Sequence, residues 1–204
     1  MKLYNNNFSP NAKRVRVCAN ELGINLNVIE LDFKKGDNRK PEYVAKNPMG
    51  KIPTLEDDDG YVIWESPAIL TYLASKNPQK NLLPTDARGR AETVRWMFWN
   101  ASHLEAAVYG VAFEKLVKPM LGAQADQTRI DACTKDFERY APVLNAHLEG
   151  KQWICGDQFT IADISVAVVV EFAIPSGLDV NQFAHIKAWL GRISSRDAWK
   201  KAST

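Results

Sequence analysis

The sequence predicts an α/β domain followed by an all-α domain, and three observations carry that expectation. Through residue 77, short aliphatic runs alternate with segments of helical spacing. Residues 78–86 then hold Pro78 and Pro84 and show no periodicity, as a linker does. From residue 87 to 204 the apolar spacing is helical throughout. The expected division is therefore 1–77, linker 78–86, and 87–204.

Each element has a local reason. Met1 to Tyr4 reads as a short strand. Pro10 to Leu22 reads as a helix: Ser9 stands at its N-cap, Pro10 occupies the first turn, and Gly23 stops it. Val15, Cys18, Ala19 and Leu22 recur at helical spacing and supply its buried face. Leu26 to Leu31 reads as a second strand with Leu26 and Val28 inward. Pro41 to Lys46 reads as a short helix ended by Asn47-Pro48. Ile52 to Glu56 and Tyr61 to Trp64 flank Asp57-Asp58-Asp59-Gly60, a hairpin signal because Asp-Gly tolerates the backbone of a tight turn. Ser66-Pro67 opens another helix through Leu73.

The remainder is helical. Ala87 to about Leu116 reads as one long helix bearing Trp96, Phe98, Trp99, Leu104, Tyr109 and Phe113. Asp126 to Leu148 carries Ile130, Cys133, Phe137, Tyr140, Leu144 and Leu148 in steps of three and four, and Pro142 inside it predicts a kink or a split. Thr160-Ile161-Ala162-Asp163 resembles a capping box, with Phe159 and Ile164 spaced as a hydrophobic staple. Asp163 is thus expected to be a buried capping carboxylate rather than a catalytic acid. Ile186 to Lys200 reads as the last helix.

Composition excludes several functions. Hydrophobic residues make up 46% and charged residues 25% of 204, enough for a core. The 26 basic and 24 acidic residues nearly cancel, leaving no basic footprint for nucleic acid. Val166 to Val170 is the longest aliphatic run, far below the ~20 residues a membrane helix needs. The start turns polar at once, so a cytoplasmic protein is expected. Cys18, Cys133 and Cys155 are too scattered for a disulfide framework, and His103, His147 and His185 lack ligand spacing, so no metal site is expected. Gly50-Lys51 lacks the remaining residues of a phosphate loop.

Four stretches carry a resemblance: Ser9-Pro10-Asn11-Ala12-Lys13-Arg14-Val15, Asn47-Pro48-Met49-Gly50-Lys51-Ile52-Pro53, Glu65-Ser66-Pro67-Ala68-Ile69, and Gly156-Asp157-Gln158-Phe159-Thr160-Ile161-Ala162-Asp163. In this order and spacing the chain resembles the glutathione S-transferase family over nearly its full length. The serine start is similar to the phi, theta and related bacterial branches. The resemblance implies a thioredoxin-like N-terminal domain, a helical C-terminal bundle, a cis peptide before Pro53 and a homodimer. Glutathione is the implied co-substrate, and a small hydrophobic electrophile the second substrate.

Residue by residue, the resemblance makes Ser9 the group that holds the glutathione thiolate. A serine before a helix also suits an anion on physical grounds, because the unpaired N–H groups and the helix dipole favour negative charge. Asn7 and Phe8 would add a second donor and an apolar wall. Arg14, a turn further on, would help by charge or cover the surface. Glu65 would take the glutathione ammonium group and Ser66 the γ-glutamyl carboxylate. The main chain of Ile52, before Pro53, would pair with the cysteinyl amide, and Lys51 with a carboxylate. Asn38 and Arg39 align with a histidine-lysine pair used on the glycyl carboxylate, and Asn38 departs from that pattern. Phe8, Trp99, Tyr109 and Phe113 are the candidates for the electrophile site, expected between the domains. Glutathione-dependent disulfide reductase, peroxidase, isomerase or dehalogenase activity is an alternative on the same scaffold, as is a partner-binding role without catalysis. Retention of Ser9, Glu65 and Ser66 argues for catalysis.

Overall fold

The computed structural model describes residues 1–203 and divides into two compact units. One holds residues 1–83 together with the chain from Arg196 onward; the other is Pro84–Ser195. This division differs from the expected one at both ends of the helical part. Leu82 and Leu83 are buried and belong with the first unit, and so does the last stretch of chain.

The first unit is built on a four-stranded sheet of order β2-β1-β3-β4. Its strands are β1 (Lys2–Asn5), β2 (Asn27–Glu30), β3 (Thr54–Glu56) and β4 (Val62–Trp64). β1 runs parallel to β2, which requires a crossover, and helix α1 (Pro10–Leu22) provides it. β1 and β4 are both antiparallel to β3, with Leu3 opposite Leu55 and Leu55 opposite Ile63. Helix α2 (Pro41–Val44) is one turn that buries Tyr43, and α3 (Ser66–Lys76) packs beside α1. Leu3, Val15, Cys18, Leu55, Ile69 and Leu70 are fully buried, and together they form the core of this unit.

Two expectations change here. Val28 does not face inward: it is 43% exposed, because β2 is an edge strand with a single neighbour. Between β2 and α2 the chain makes two 3₁₀ turns, Phe33–Lys35 and Asp37–Arg39, which the residue pattern did not announce.

In the second unit, α4 (Ala87–Trp99), α5 (Glu105–Ala112) and α6 (Lys118–Met120) form one helical run. Asn100–Leu104 and Phe113–Val117 join them at the wider π pitch, often a mark of functional segments. α7 (Gln127–His147) is a single helix of 21 residues, so Pro142 does not split it. Pro142 lies on the exposed face, where the carbonyl it leaves unbonded meets water. α8 (Ile161–Ala173) is the centre of the unit, buried at every position from 161 to 170. Each buried Val or Ile there contributes about 1.5–3 kcal/mol of gross hydrophobic stabilisation.

The capping box of α8 is formed as expected. Asp163 accepts from the N–H groups of Ile154 at 2.8 Å and Thr160 at 2.9 Å, and from the Trp189 indole at 2.9 Å. Burial pushes its carboxyl above the usual range, against donors that pull it down. α9 (Ala184–Ser194) and α10 (Asp197–Ala202) replace the single last helix that was expected. The break falls at Arg196, whose extended backbone and paired hydrogen bonds to Glu21, at 2.6 and 2.8 Å, return the chain to the first unit.

Among the described residues no helix is long and apolar enough to cross a membrane, and no cluster of potential metal ligands is present. All three cysteines are free.

Candidate active site

Ser9 occupies the N-cap of α1. Its Oγ accepts from the Ala12 N–H at 3.2 Å, and its own N–H donates to the Asn6 carbonyl at 2.9 Å. A hydroxyl oxygen that accepts from the helix still has its O–H to donate. The start of α1 adds unpaired N–H groups and the positive end of the dipole. Beside it Phe8 is 91% exposed. Asn7 accepts at its Oδ1 from Arg16 and Asn5, and this leaves its amide N–H groups to donate.

A second helix start lies in the same unit. Ser66 opens α3 and is buried. Its Oγ accepts from the Arg14 Nη1 at 2.8 Å and donates to the Asn11 Oδ1 at 3.5 Å. Arg14 and Asn11 both belong to α1, so one side-chain chain joins the first turns of two helices. Arg14 is itself fully buried. It covers no surface, contrary to one of the two roles expected for it. Its position four residues before Cys18, on the buried stripe of α1, was the signal for this.

Glu65, between β4 and α3, has φ 68° and ψ 108°. A non-glycine residue at such a φ stores of order 1–3 kcal/mol, and strain of this kind gathers at functional positions. No residue-type pattern could have shown it.

The loop before β3 is held by Tyr43 and Asn47, which both donate to the Lys51 carbonyl, the Asn47 amide at 2.8 Å. Asn47 also donates to the Thr54 hydroxyl at 3.1 Å. The Ile52–Pro53 peptide is cis, as the family resemblance implied. No hydrogen bond to the Ile52 main chain is present among the described residues, which leaves its N–H and carbonyl to an extended partner. Lys51 and Arg39 are exposed. Asn38 is not: its amide donates to the Gly50 carbonyl at 2.7 Å, so its side chain braces the loop. Gly50 has φ 59°, and an added Cβ would sit 3.1 Å from the Asn38 carbonyl oxygen.

In the second unit the three aromatic candidates have different neighbours. Trp99 meets Trp96 edge-on at 5.0 Å and lines a groove with Val143 and His147. Tyr109 meets Phe172 of α8 edge-on at 5.6 Å, and Phe113 lies 5.8 Å from the Arg129 guanidinium of α7.

Known proteins resemble this chain along nearly its whole length. The family model for the glutathione S-transferase N-terminal domain matches residues 1–75, and that for the C-terminal domain matches residues 103–197. Glutathione S-transferase 3 of Zea mays is 32% identical over 98% of this chain and 92% of its own length. Glutathione S-transferase GstB of Escherichia coli K12 is 31% identical over 98% of this chain and 95% of its own. A glutathione transferase of Burkholderia graminis, crystallised with two glutathione molecules bound per subunit, is 29% identical with a TM-score of 0.88. That alignment covers 99% of this chain and 86% of the Burkholderia chain. With relatives above 30% identity along nearly its whole length, this chain belongs to the glutathione S-transferase family.

Proposed function

We propose that the first unit binds glutathione and that Ser9 holds its sulfur as the thiolate, which then attacks a small hydrophobic electrophile. Glutathione transferase activity is the function shared by the relatives. The observation that carries the role of Ser9 is its geometry: the oxygen is engaged by the Ala12 N–H while the O–H is left to donate.

The magnitudes agree. A thiol of pKa ~8.5 is only a few per cent ionised at neutral pH. Lowering that pKa by about two units takes ~2.7 kcal/mol of preference for the anion. A hydrogen bond to a charged group is worth about 1.5–3 kcal/mol, and a helix N-terminus about 0.3–1 kcal/mol more. Ser9 and the first turn of α1 together reach the required value.

The rest of the tripeptide follows the same chemistry. Ser66 and the start of α3 suit the γ-glutamyl carboxylate, with the buried Arg14 charge behind them. Glu65 takes the ammonium group. The Ile52 main chain pairs with the cysteinyl amide as an added strand would, beside Pro53. Arg39 and Lys51 are left to the glycyl carboxylate, and Asn38 contributes by bracing Gly50. Phe8 offers the electrophile an apolar contact, and Tyr109 is the second-unit side chain whose hydroxyl suits polarising it. Trp99 and Phe113 are the further second-unit candidates, each with an aromatic or cationic neighbour, as Tyr109 has in Phe172. A cysteine-based mechanism is disfavoured because burial pushes the Cys18 and Cys155 thiols up and away from the reactive form. A homodimer, a cytoplasmic location and a detoxifying role are the family's pattern and are proposed on that ground, as is the two-domain division of labour.

The test is Ser9→Ala. The absorbance titration of bound glutathione should show its thiol pKa raised by more than one unit, with affinity nearly intact. An unchanged titration removes Ser9 from the site. Retention on glutathione resin with no turnover of any electrophile or peroxide would favour the partner-binding role.

A further inference from the structure

The run Asn5-Asn6-Asn7, just before Phe8 and Ser9, is held by a hydrogen-bond network of its own. Asn6 donates to the Leu31 carbonyl at 3.0 Å, and its Oδ1 accepts from the Phe8 N–H at 3.1 Å. Asn5 is fully buried and donates to Glu30. Asn5 and Asn7 share one further partner, the half-buried Arg16 of α1. Its Nη1 donates to the Asn5 Oδ1 at 2.8 Å and to the Asn7 Oδ1 at 2.9 Å. Its Nη2 donates to the Ala202 carbonyl at 3.1 Å, one of the last carbonyls of α10, which lack partners within their own helix.

Resting on the reading of Ser9 given above, we propose that Arg16 is a positioning residue for the reaction. It holds the turn that carries Ser9 against the body of the first unit. The guanidinium fork makes this role specific. One planar group with fixed N–H directions reaches three acceptors at once, so each acceptor sets the position of the others. The fork is anchored on its far side by α10. That helix lies on the same face of α1: Asn20 donates to the Ala198 carbonyl at 3.1 Å, the Lys13 ammonium lies 4.7 Å from the Trp199 ring, and Arg196 pairs with Glu21. Arg16 touches no reacting atom. It acts by keeping the Ser9 hydroxyl where a sulfur anion would meet it. A displacement of a few tenths of an ångström already weakens a charge-assisted hydrogen bond.

The test compares Arg16→Gln, Arg16→Lys, Asn7→Ala and Ser9→Ala by the absorbance titration of bound glutathione. It adds the pH profile of kcat/KM with a chromogenic aryl halide. Arg16→Gln and Asn7→Ala should raise the thiol pKa by about half a unit, a threefold loss of thiolate near neutral pH. Turnover should fall in step while KM for glutathione changes less than about twofold. Arg16→Lys keeps the charge but not the fork, and should also titrate high. Asn7 is exposed, so Asn7→Ala should fold, and a rise in Asn7→Ala with parent-like Arg16 variants overturns positioning in favour of Asn7 as a direct donor. Parent-like titration of the Arg16 and Asn7 variants, with Ser9→Ala raised, overturns the role of Arg16 alone. Full recovery in Arg16→Lys overturns positioning in favour of charge. A parent-like Ser9→Ala overturns the reading of Ser9, and this proposal with it.

Discussion

The Arg14 guanidinium donates to the Ser66 hydroxyl at 2.8 Å, and both side chains are buried. A positive charge from α1 is therefore fixed at the first residue of α3, where a carboxylate of glutathione is proposed to bind. Ser66→Ala should weaken glutathione binding by about 1–2 kcal/mol, or roughly 5–30-fold, and Arg14→Met by at least as much. The two act through one arrangement, so the double variant should bind no more than about threefold more weakly than the weaker single. Calorimetry on the four proteins decides this. Losses that simply add would show that Arg14 and Ser66 act separately.

Ser9 is proposed to serve both folding and chemistry, and a substitution can part them. Aspartate is as good an N-cap as serine, so Ser9→Asp should retain the Ala12 contact and the parent thermal stability. Ser9→Ala should lose about 1 kcal/mol. Yet aspartate puts a negative charge where the sulfur is to ionise, so its thiol pKa should rise above that of Ser9→Ala. Melting curves and thiolate titrations on the same samples provide the check. A thiol in Ser9→Asp more acidic than in Ser9→Ala would place the sulfur away from this helix start.

These two positions also show which parts were legible in the sequence. Ser9 and Ser66 could be found because a serine followed by proline at a helix start is a local signal, complete within a few residues. The capping box at Thr160 and Asp163 was readable for the same reason. Val28 and Pro142 were not, because the answer depends on whether a strand ends at a sheet edge and which face of a helix meets water. Those are properties of the assembled fold. Arg14 lay on a readable stripe, but the stripe alone does not say where a charge there finds its partner. Its partner stands 52 residues away. The strained backbone of Glu65 and the three acceptors of Arg16 have no composition signature at all.

Glu56 predicts a pH dependence of stability. Its carboxylate accepts from Lys46 at 2.7 Å, Lys2 at 2.9 Å and Tyr4 at 3.0 Å, and these donors, Lys46 foremost, hold its pKa down to about 2. Asp57, bound by Lys76 and Tyr72, is also lowered to about 2. Unfolded carboxylates titrate near ~3.9–4.3. A depressed native pKa stabilises the fold above the unfolded value, and that contribution disappears as pH falls from about 4.3 to about 2. Glu56→Gln should therefore lower the urea midpoint at neutral pH, and the gap to the parent should close through that acid window. Parallel profiles for parent and variant would mean that the lysines stabilise nothing through this carboxylate.

Gly110 predicts a packing cost. It lies in α5, which packs against α7, and a Cβ built there would overlap the Cys133 sulfur. Alanine is favoured over glycine in a helix by about 0.8–1 kcal/mol, whereas overpacking a tight contact costs about 1–3 kcal/mol. The Cβ of half-buried Cys133 would itself lie 3.3 Å from the new one, so turning the sulfur aside relieves only part of the crowding and overpacking should win. Gly110→Ala should thus lose about 1 kcal/mol or more by denaturant unfolding. Cys133→Ala removes the overlapping sulfur, and adding it to Gly110→Ala should recover most of the loss, since the new methyl group fills the space the sulfur leaves. The two residues would then couple by more than about 1 kcal/mol in a double-mutant cycle. A stabilised Gly110→Ala, or strictly additive effects, would show that α5 and α7 yield at this crossing and that glycine is there for another reason.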